Sequence, residues 1–248
     1  MTSAKQGIKA VLRRTLPPTA GSTGVERIVR SVRDRAYRTP IPRSPGFYSQ
    51  DGQDQAVVEL FGARRGGVFL DIGAHDGVSY SNTCYLEKEL GWTGICIEPH
   101  PGVFSRLREN RRCACENVAV ASSPRTAKFM CVSGYGEMLS RFSTGPVPDR
   151  ITHAIETTGA ELQEIEVPCD TVLDILTRND LTHVDYISID VEGCEFEILQ
   201  TIDLRGLDVS VLTIENNYPD DRVELYLRRQ GYQLMQILGH DGVYKRHK

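Results

Sequence analysis

The chain has 248 residues, 40% hydrophobic and 25% charged, with seven Cys and a formal net charge of −4. This composition suits one α/β domain with a full core, and no run of about 18 apolar residues exists to span a membrane. An odd cysteine count in a chain of this size disfavours a disulfide scaffold and favours reduced thiols and a cytoplasmic location, and Cys113-x-Cys115 without any CxxC pair gives no zinc ribbon.

The charge is uneven. Residues 1–45 hold ten Lys/Arg and two Asp/Glu, net +8, while the rest of the chain carries −12. This head lacks the apolar run of a secretory signal and offers only Ile8–Leu12 and Val25–Val29, broken by Pro17 and Pro18. It reads as a basic arm, flexible or loosely docked. Pro40, Pro42 and Pro45 mark the start of a domain over 46–248.

Within that domain, Val68–Ile72 is a short apolar run ending in Gly73, as in a buried strand followed by a turn. A helix is expected from about Asn82 to Leu90, stopped by Gly91. Gly94–Glu98 reads as a second strand and Pro99–Asn110 as a second helix with proline near its start. Glu116–Val120 and Ala127–Val132 read as strands. Residues 133–160, rich in Gly, Ser, Thr and Pro, read as a long irregular loop on the acceptor side. Then come a helix over Asp170–Arg178, a strand over Val184–Asp190, a helix over Gly193–Ile202, a strand over Val209–Glu215 and a helix over Asp220–Arg229. Tyr232–Leu238 and Gly242–Lys245 form a closing hairpin around His240-Asp241-Gly242. Alternating strands and helices imply a doubly wound, mostly parallel sheet with helices on both faces.

The turn Asp71-Ile72-Gly73-Ala74-His75-Asp76-Gly77 falls at the carboxyl end of the first strand, where ligands bind in such sheets. Its glycine spacing is neither the dinucleotide fingerprint nor a P-loop. Its acids suit a cationic or zwitterionic ligand better than a phosphate. Glu98, 27 residues after Asp71, ends the second strand, where a carboxylate can accept both hydroxyls of a ribose. Together these suggest S-adenosylmethionine; a capped turn without ligand is the plain alternative. Asn117 and Val118 sit where an adenine edge would lie, though Asn117 also suits a turn. Ser81 and Asn82 can cap the following helix or reach the cofactor.

A second acidic group, Asp190-Val191-Glu192-Gly193-Cys194-Glu195, follows the strand beside the first. Asp190 and Glu192 can serve as general base, substrate clamp or metal ligand; helix capping by Asp190 is the structural alternative. Glu215-Asn216-Asn217 ends the next strand at the same crevice, and Glu215 or Asn216 is expected to contact substrate. His75 is a rival base. A divalent metal on Asp190, Glu192 and Glu215 is conceivable but not favoured.

Several segments resemble the FkbM-type methyltransferases: Ser49-Gln50-Asp51-Gly52-Gln53-Asp54, Phe69–Gly77, Ser81-Asn82-Thr83, Gly91-Trp92-Thr93-Gly94, Ile97-Glu98-Pro99, Asn117–Val120 and Ile189–Gly193. The resemblance covers about residues 47–246. It implies the class I methyltransferase fold, a Rossmann-like seven-stranded, mostly parallel sheet with a C-terminal antiparallel hairpin. It implies S-adenosylmethionine as donor and O-methylation of a sugar or natural-product hydroxyl. By matching position, Asp71 and Gly73 belong to the donor-binding turn; Ala74, Asp76, Gly77, Ser81, Asn82 and Asp190 are further candidates for contact with the donor. Glu98 is then the ribose acid, Asn117 and Val118 the adenine edge, and Asp190 and Glu192 the reaction end. The expected partner is a small-molecule or glycan acceptor, with no nucleic acid; the oligomeric state is left open. The competing functions are a binding module that has kept the fold but lost the chemistry, and a nucleotide-dependent oxidoreductase, which the glycine spacing disfavours.

Overall fold

The computed structural model describes residues 37, 44–143, 149–216 and 221–247. The expected arm over 1–45 lies almost wholly outside the described residues, but Tyr37 is buried against the larger core cluster. The elements in chain order are α1 (Gln53–Leu60), β1 (Val68–Ile72), α2 (Cys84–Leu90), β2 (Thr93–Ile97), α3 (Pro101–Asn110), β3 (Ala114–Glu116), β4 (Ala119–Val120) and β5 (Arg125–Val132). A 3-10 turn (Gly134–Leu139), β6 (Arg141–Phe142), α4 (Asp149–Thr158), β7 (Leu162–Asp170), α5 (Val172–Arg178), β8 (Tyr186–Ile189) and α6 (Glu195–Leu199) follow. The chain finishes with β9 (Val211–Glu215), α7 (Asp221–Arg229), β10 (Tyr232–Leu238) and β11 (Asp241–Arg246).

Seven strands form one sheet in the order β10-β11-β9-β8-β1-β2-β3. All its pairings are parallel except those of β11, which is antiparallel to β10 and β9. The central strands read as unbroken apolar runs because both faces are covered. Leu70, Ile72, Ile95, Ile97, Ile187, Ile189, Leu212 and Ile214 pack on one face with α5, α6 and α7. Phe69, Cys96, Tyr186 and Val211 pack on the other with α1, α2 and α3. This is the class I methyltransferase architecture, with the antiparallel hairpin at its end.

Three expectations are corrected. The strand expected over 116–120 is two strands: Glu116 ends β3 in the main sheet, and Ala119–Val120 belongs to a second, four-stranded sheet ordered β4-β7-β5-β6. The chain turns between them because Asn117 Nδ2 donates to the carbonyls of Glu98 (2.8 Å) and Pro99 (3.2 Å). Residues 133–160 are also not one irregular loop. They hold the 3-10 turn, β6 and α4, inserted between β5 and β7, which pair antiparallel from Arg125–Cys169 to Val132–Leu162.

The helix expected over 193–202 is shorter. It begins at Glu195 with Cys194 as N-cap, so Asp190 does not cap it.

Candidate active site

The carboxyl ends of β1, β2, β8 and β9 lie side by side. Their registers join Ile72 to Ile97 and Ile189, and Ile189 to Ile214. Residues at these ends, among them Gly73, Glu98, Asp190 and Glu215, therefore line one crevice, a cavity of 1580 Å³. Ligand pockets commonly measure about 300–1,000 Å³, so this one has room for two bound molecules. The insertion roofs it through Met138, Arg141, Phe142, His153 and Thr157, and Gln50, Asp51 and Gln53 line it from the other end of the chain. Its walls carry eight carboxylates against one Arg.

The turn after β1 lies against the end of β8. Gly73 has φ +88°, and a Cβ there would stand 1.7 Å from the Asp190 carbonyl oxygen. Only glycine allows both the backbone angle and that approach. The Gly73 and Ala74 amides donate to the Ile97 carbonyl (3.0 Å each), which ties the turn to β2.

Asp71 is 3% exposed and points to the face under α2, where Thr83 Oγ1 donates to it (2.5 Å). Burial raises its acid to about 6, against the opposing pull of Arg111 and the Thr83 bond. Asp71 is one of a row of polar side chains across five strands: Thr213, Ser188, Asp71, Cys96 and Cys115 are register partners in turn. Asn82 donates to Ser188 (3.0 Å), and Tyr186 bonds Thr213 (2.6 Å). Arg111 donates to Thr83 (3.0 Å) and to the Gly77 carbonyl (3.2 Å), and it pairs with Glu87 (2.5 Å). Its guanidinium is buried, so the cation is matched by carboxylate and carbonyl oxygens.

Glu98 is 7% exposed. Its two oxygens accept the amides of His75 (3.1 Å) and His100 (2.8 Å). Burial lifts it to about 7, against those two bonds. Each oxygen keeps a lone pair for a further donor in the cavity.

Asp190, Glu192 and Glu215 bring carboxylate oxygens within 4.8 Å of one another. Glu195 and Asp241 act on this group as neighbouring charges. Glu195 accepts the Gly193 amide (2.7 Å), and Asp241 stands opposite Glu215 in the β11–β9 register and accepts from Gln53 Nε2 (2.9 Å). Burial, then the neighbouring acids, push Glu215 and Asp241 far above the usual carboxylate range. Such a cluster holds protons at neutral pH or attracts a cation.

His75 lines the cavity. Both its ring nitrogens are buried without a hydrogen-bond partner, and burial lowers its pKa.

Most residues expected from the sequence thus line one cavity: Asp71, Gly73, Ala74, His75, Ser81, Asn82, Glu98, Val118, Asp190, Glu192 and Glu215. Asp76, Gly77 and Asn117 stand behind its wall. Asp76 accepts the Val78 and Ser79 amides (2.9 and 2.7 Å), which tightens the turn. Ser81 Oγ accepts the Thr83 and Cys84 amides (3.3 and 3.1 Å), which closes the turn leading into α2, but the N-cap position itself is Thr83 and not Ser81. Asn217 lies outside the described residues.

Sequence reasoning assigned no role to Gln53, Asp241, Thr83 or Arg111. The motif Ser49–Asp54 was the only signal for Gln53, and Asp241 read as a hairpin turn residue.

The sequence profile of the methyltransferase FkbM domain matches residues 71–234. No curated protein matches the sequence significantly. Among solved structures, the chain is similar to the METTL16 MTase domain, with TM-score 0.43 and 15% identity, over 78% of this chain and 65% of that one. It thus spans less than two thirds of that chain. It is also similar to TrmK of M. capricolum in complex with S-adenosyl-homocysteine, with TM-score 0.40 and 11% identity, over 80% of this chain and 68% of that one. Precorrin-6y C5,15-methyltransferase from Geobacter metallireducens GS-15 aligns with TM-score 0.40 and 14% identity, over 85% and 92% of the two chains. These likenesses are distant, whereas the profile runs over more than half of the chain, from the carboxylate of β1 to the first strand of the terminal hairpin. The chain belongs to the FkbM methyltransferase family.

Proposed function

We propose that the chain methylates a hydroxyl of a sugar or natural-product acceptor, with S-adenosylmethionine as donor. The carrying observation is one cavity with room for two molecules, with Glu98 at one strand end and the Asp190–Glu192–Glu215 group at others. The residues present fit the donor. Gly73 leaves the backbone bare where a ligand approaches, and Glu98 has lone pairs for two ribose hydroxyls. Val118 and Ala119 offer an apolar wall to adenine. The surplus of carboxylates suits the donor's ammonium and sulfonium groups. When bound, S-adenosylmethionine supplies an electrophilic methyl group on a cationic sulfur.

The chain's own residues then orient and deprotonate the acceptor. Methyl transfer needs an in-line approach, so positioning contributes much of the rate. An aliphatic hydroxyl is a weak nucleophile, and Asp190 or Glu192 takes its proton. His75 is the rival base, since an unprotonated imidazole can accept a proton in the same cavity. The insertion over 133–160 forms the acceptor side.

A second reading, favoured by the spacing of Asp190, Glu192 and Glu215, is a divalent ion on those carboxylates that binds a hydroxyl pair. Its test is activity after EDTA dialysis; unchanged turnover removes the ion. The main reading is tested by incubating the protein with labelled donor and a panel of polyhydroxyl acceptors. Label on an acceptor oxygen supports it. Binding of S-adenosylhomocysteine without turnover on any acceptor supports instead a binding module that has lost the chemistry.

A further inference from the structure

The polar row beneath α2 ends in thiols that methyl transfer does not use. Cys96 on β2 and Cys115 on β3 are register partners, and Cys113 stands two residues before Cys115. Cys113 Sγ lies 3.6 Å from Cys96 Sγ, and both thiols are free. Cys96 is fully buried, whereas Cys113 is partly exposed. The two therefore differ in access: Cys113 is the more exposed residue, and Cys96 lies wholly in the core.

Their acidities differ in the same sense. The thiol contacts of Cys113 with Cys115 and Cys96, joined by the nearby Arg111 cation, hold it well below the usual thiol range despite burial. Burial, then the Cys113 contact, pushes Cys96 well above that range. A low-pKa, reachable thiolate beside a second thiol is the arrangement that oxidants select.

We propose that Cys113 and Cys96 form a peroxide-reactive dithiol, a modification site that closes to a disulfide and loosens the glycine-rich turn through Arg111.

The chemistry balances with hydrogen peroxide as the named oxidant. The Cys113 thiolate attacks one peroxide oxygen; an S–O bond forms, the O–O bond breaks and hydroxide leaves, giving a sulfenic acid. The Cys96 sulfur then attacks the Cys113 sulfur. An S–S bond forms, the S–O bond breaks, and the Cys96 proton goes to the departing hydroxide as water. Overall, two thiols and one peroxide give one disulfide and two waters.

The mechanical consequence follows from the bonds around Arg111. Closure shortens the sulfur separation from 3.6 Å to about 2.05 Å. That draws on the segment 111–113, whose Arg112 and Cys113 amides are held by Glu87 Oε1 (2.7 and 3.3 Å). Glu87 also pairs with Arg111, which donates to the Gly77 carbonyl, Ser81 and Thr83. A shift in this segment therefore reaches the turn.

The test treats the full chain with hydrogen peroxide and maps its peptides by mass spectrometry, alongside amide hydrogen exchange. The expected result is a Cys96–Cys113 bridge with loss of two hydrogens. It should be absent in Cys113→Ser and kept in Cys115→Ser, with several-fold faster exchange across residues 77–83 on oxidation. No bridge, or one that uses Cys115, overturns the assignment. Unchanged exchange at 77–83 overturns the coupling. Neither readout needs donor or acceptor, so the outcome is independent of the proposed methyl transfer.

Discussion

Replacing Gly73 by Ala probes the packing of the turn against β8. Two costs arise. The first is the left-handed backbone, φ +88°, which a side chain adopts at a cost of about 1 kcal/mol. The second is the collision of the new methyl with the Asp190 carbonyl at 1.7 Å. Neither strand end can yield freely, because the Gly73 amide is bonded to Ile97 and the Asp190 amide to Ile72 (2.9 Å). Overpacking of this kind costs about 1–3 kcal/mol more. Gly91→Ala is the matched control, since Gly91 also has a positive φ, +64°, but nothing lies within 4 Å of its Cβ position. At roughly 2–4 °C per kcal/mol in a chain of this size, Gly73→Ala should lower Tm by roughly 4–16 °C, and Gly91→Ala by roughly 2–4 °C. Thermal unfolding by circular dichroism measures both, and calorimetry with S-adenosylhomocysteine should show weaker binding only for Gly73→Ala. Equal Tm losses for the two variants would refute the close-approach argument.

Other expectations concern the carboxylates and their partners. Glu98→Gln should weaken S-adenosylhomocysteine about 10–100-fold, the worth of one charged hydrogen bond, as read by calorimetry; unchanged affinity removes Glu98 from the donor site. Glu98 is raised from 4.5 to about 7, so the folded state holds its proton more tightly than the unfolded state. Its contribution to stability is then fully present below about pH 4.5 and lost as pH rises through about 7, by up to about 3 kcal/mol. Denaturant titrations from pH 4 to 8 should show this slope flattened in Glu98→Gln, and a slope unaltered by the substitution contradicts it. Asp190→Asn should cut kcat about 10²–10⁴-fold with Tm and donor affinity kept, and wild-type turnover would transfer the base role to Glu192 or His75. Arg111→Ala should cost about 3–5 kcal/mol in urea unfolding, because it removes the buried cation that pairs with Glu87 and ties the Gly77 carbonyl and Thr83; a loss below 1 kcal/mol shows that the network is dispensable.

Much of the fold was legible because the central strands are buried on both faces. Val68–Ile72, Tyr186–Ile189 and Val211–Glu215 are apolar runs too short for helices. The turn after β1 was legible from its glycines, and Glu98 from its distance to Asp71. β7 was harder. Ile165, Val167 and Cys169 do alternate inward, but Pro168 and the acids between them disguise a strand.

Local pattern along the chain dictates the alternation of strand and helix, the glycine turn, and the acids at the ends of β1, β2, β8 and β9. Each is a local matter of hydrophobic period or backbone freedom. Tertiary structure alone decided the second sheet, the break after Glu116, and which distant residues meet. Asp241 reaches Glu215 only through the antiparallel register of β11 on β9, and Gln53 reaches Asp241 across 188 residues. The row from Thr213 to Cys115 exists only because five strands stand level. Neighbours across a sheet are set by strand order and register, and no local pattern along the chain encodes those.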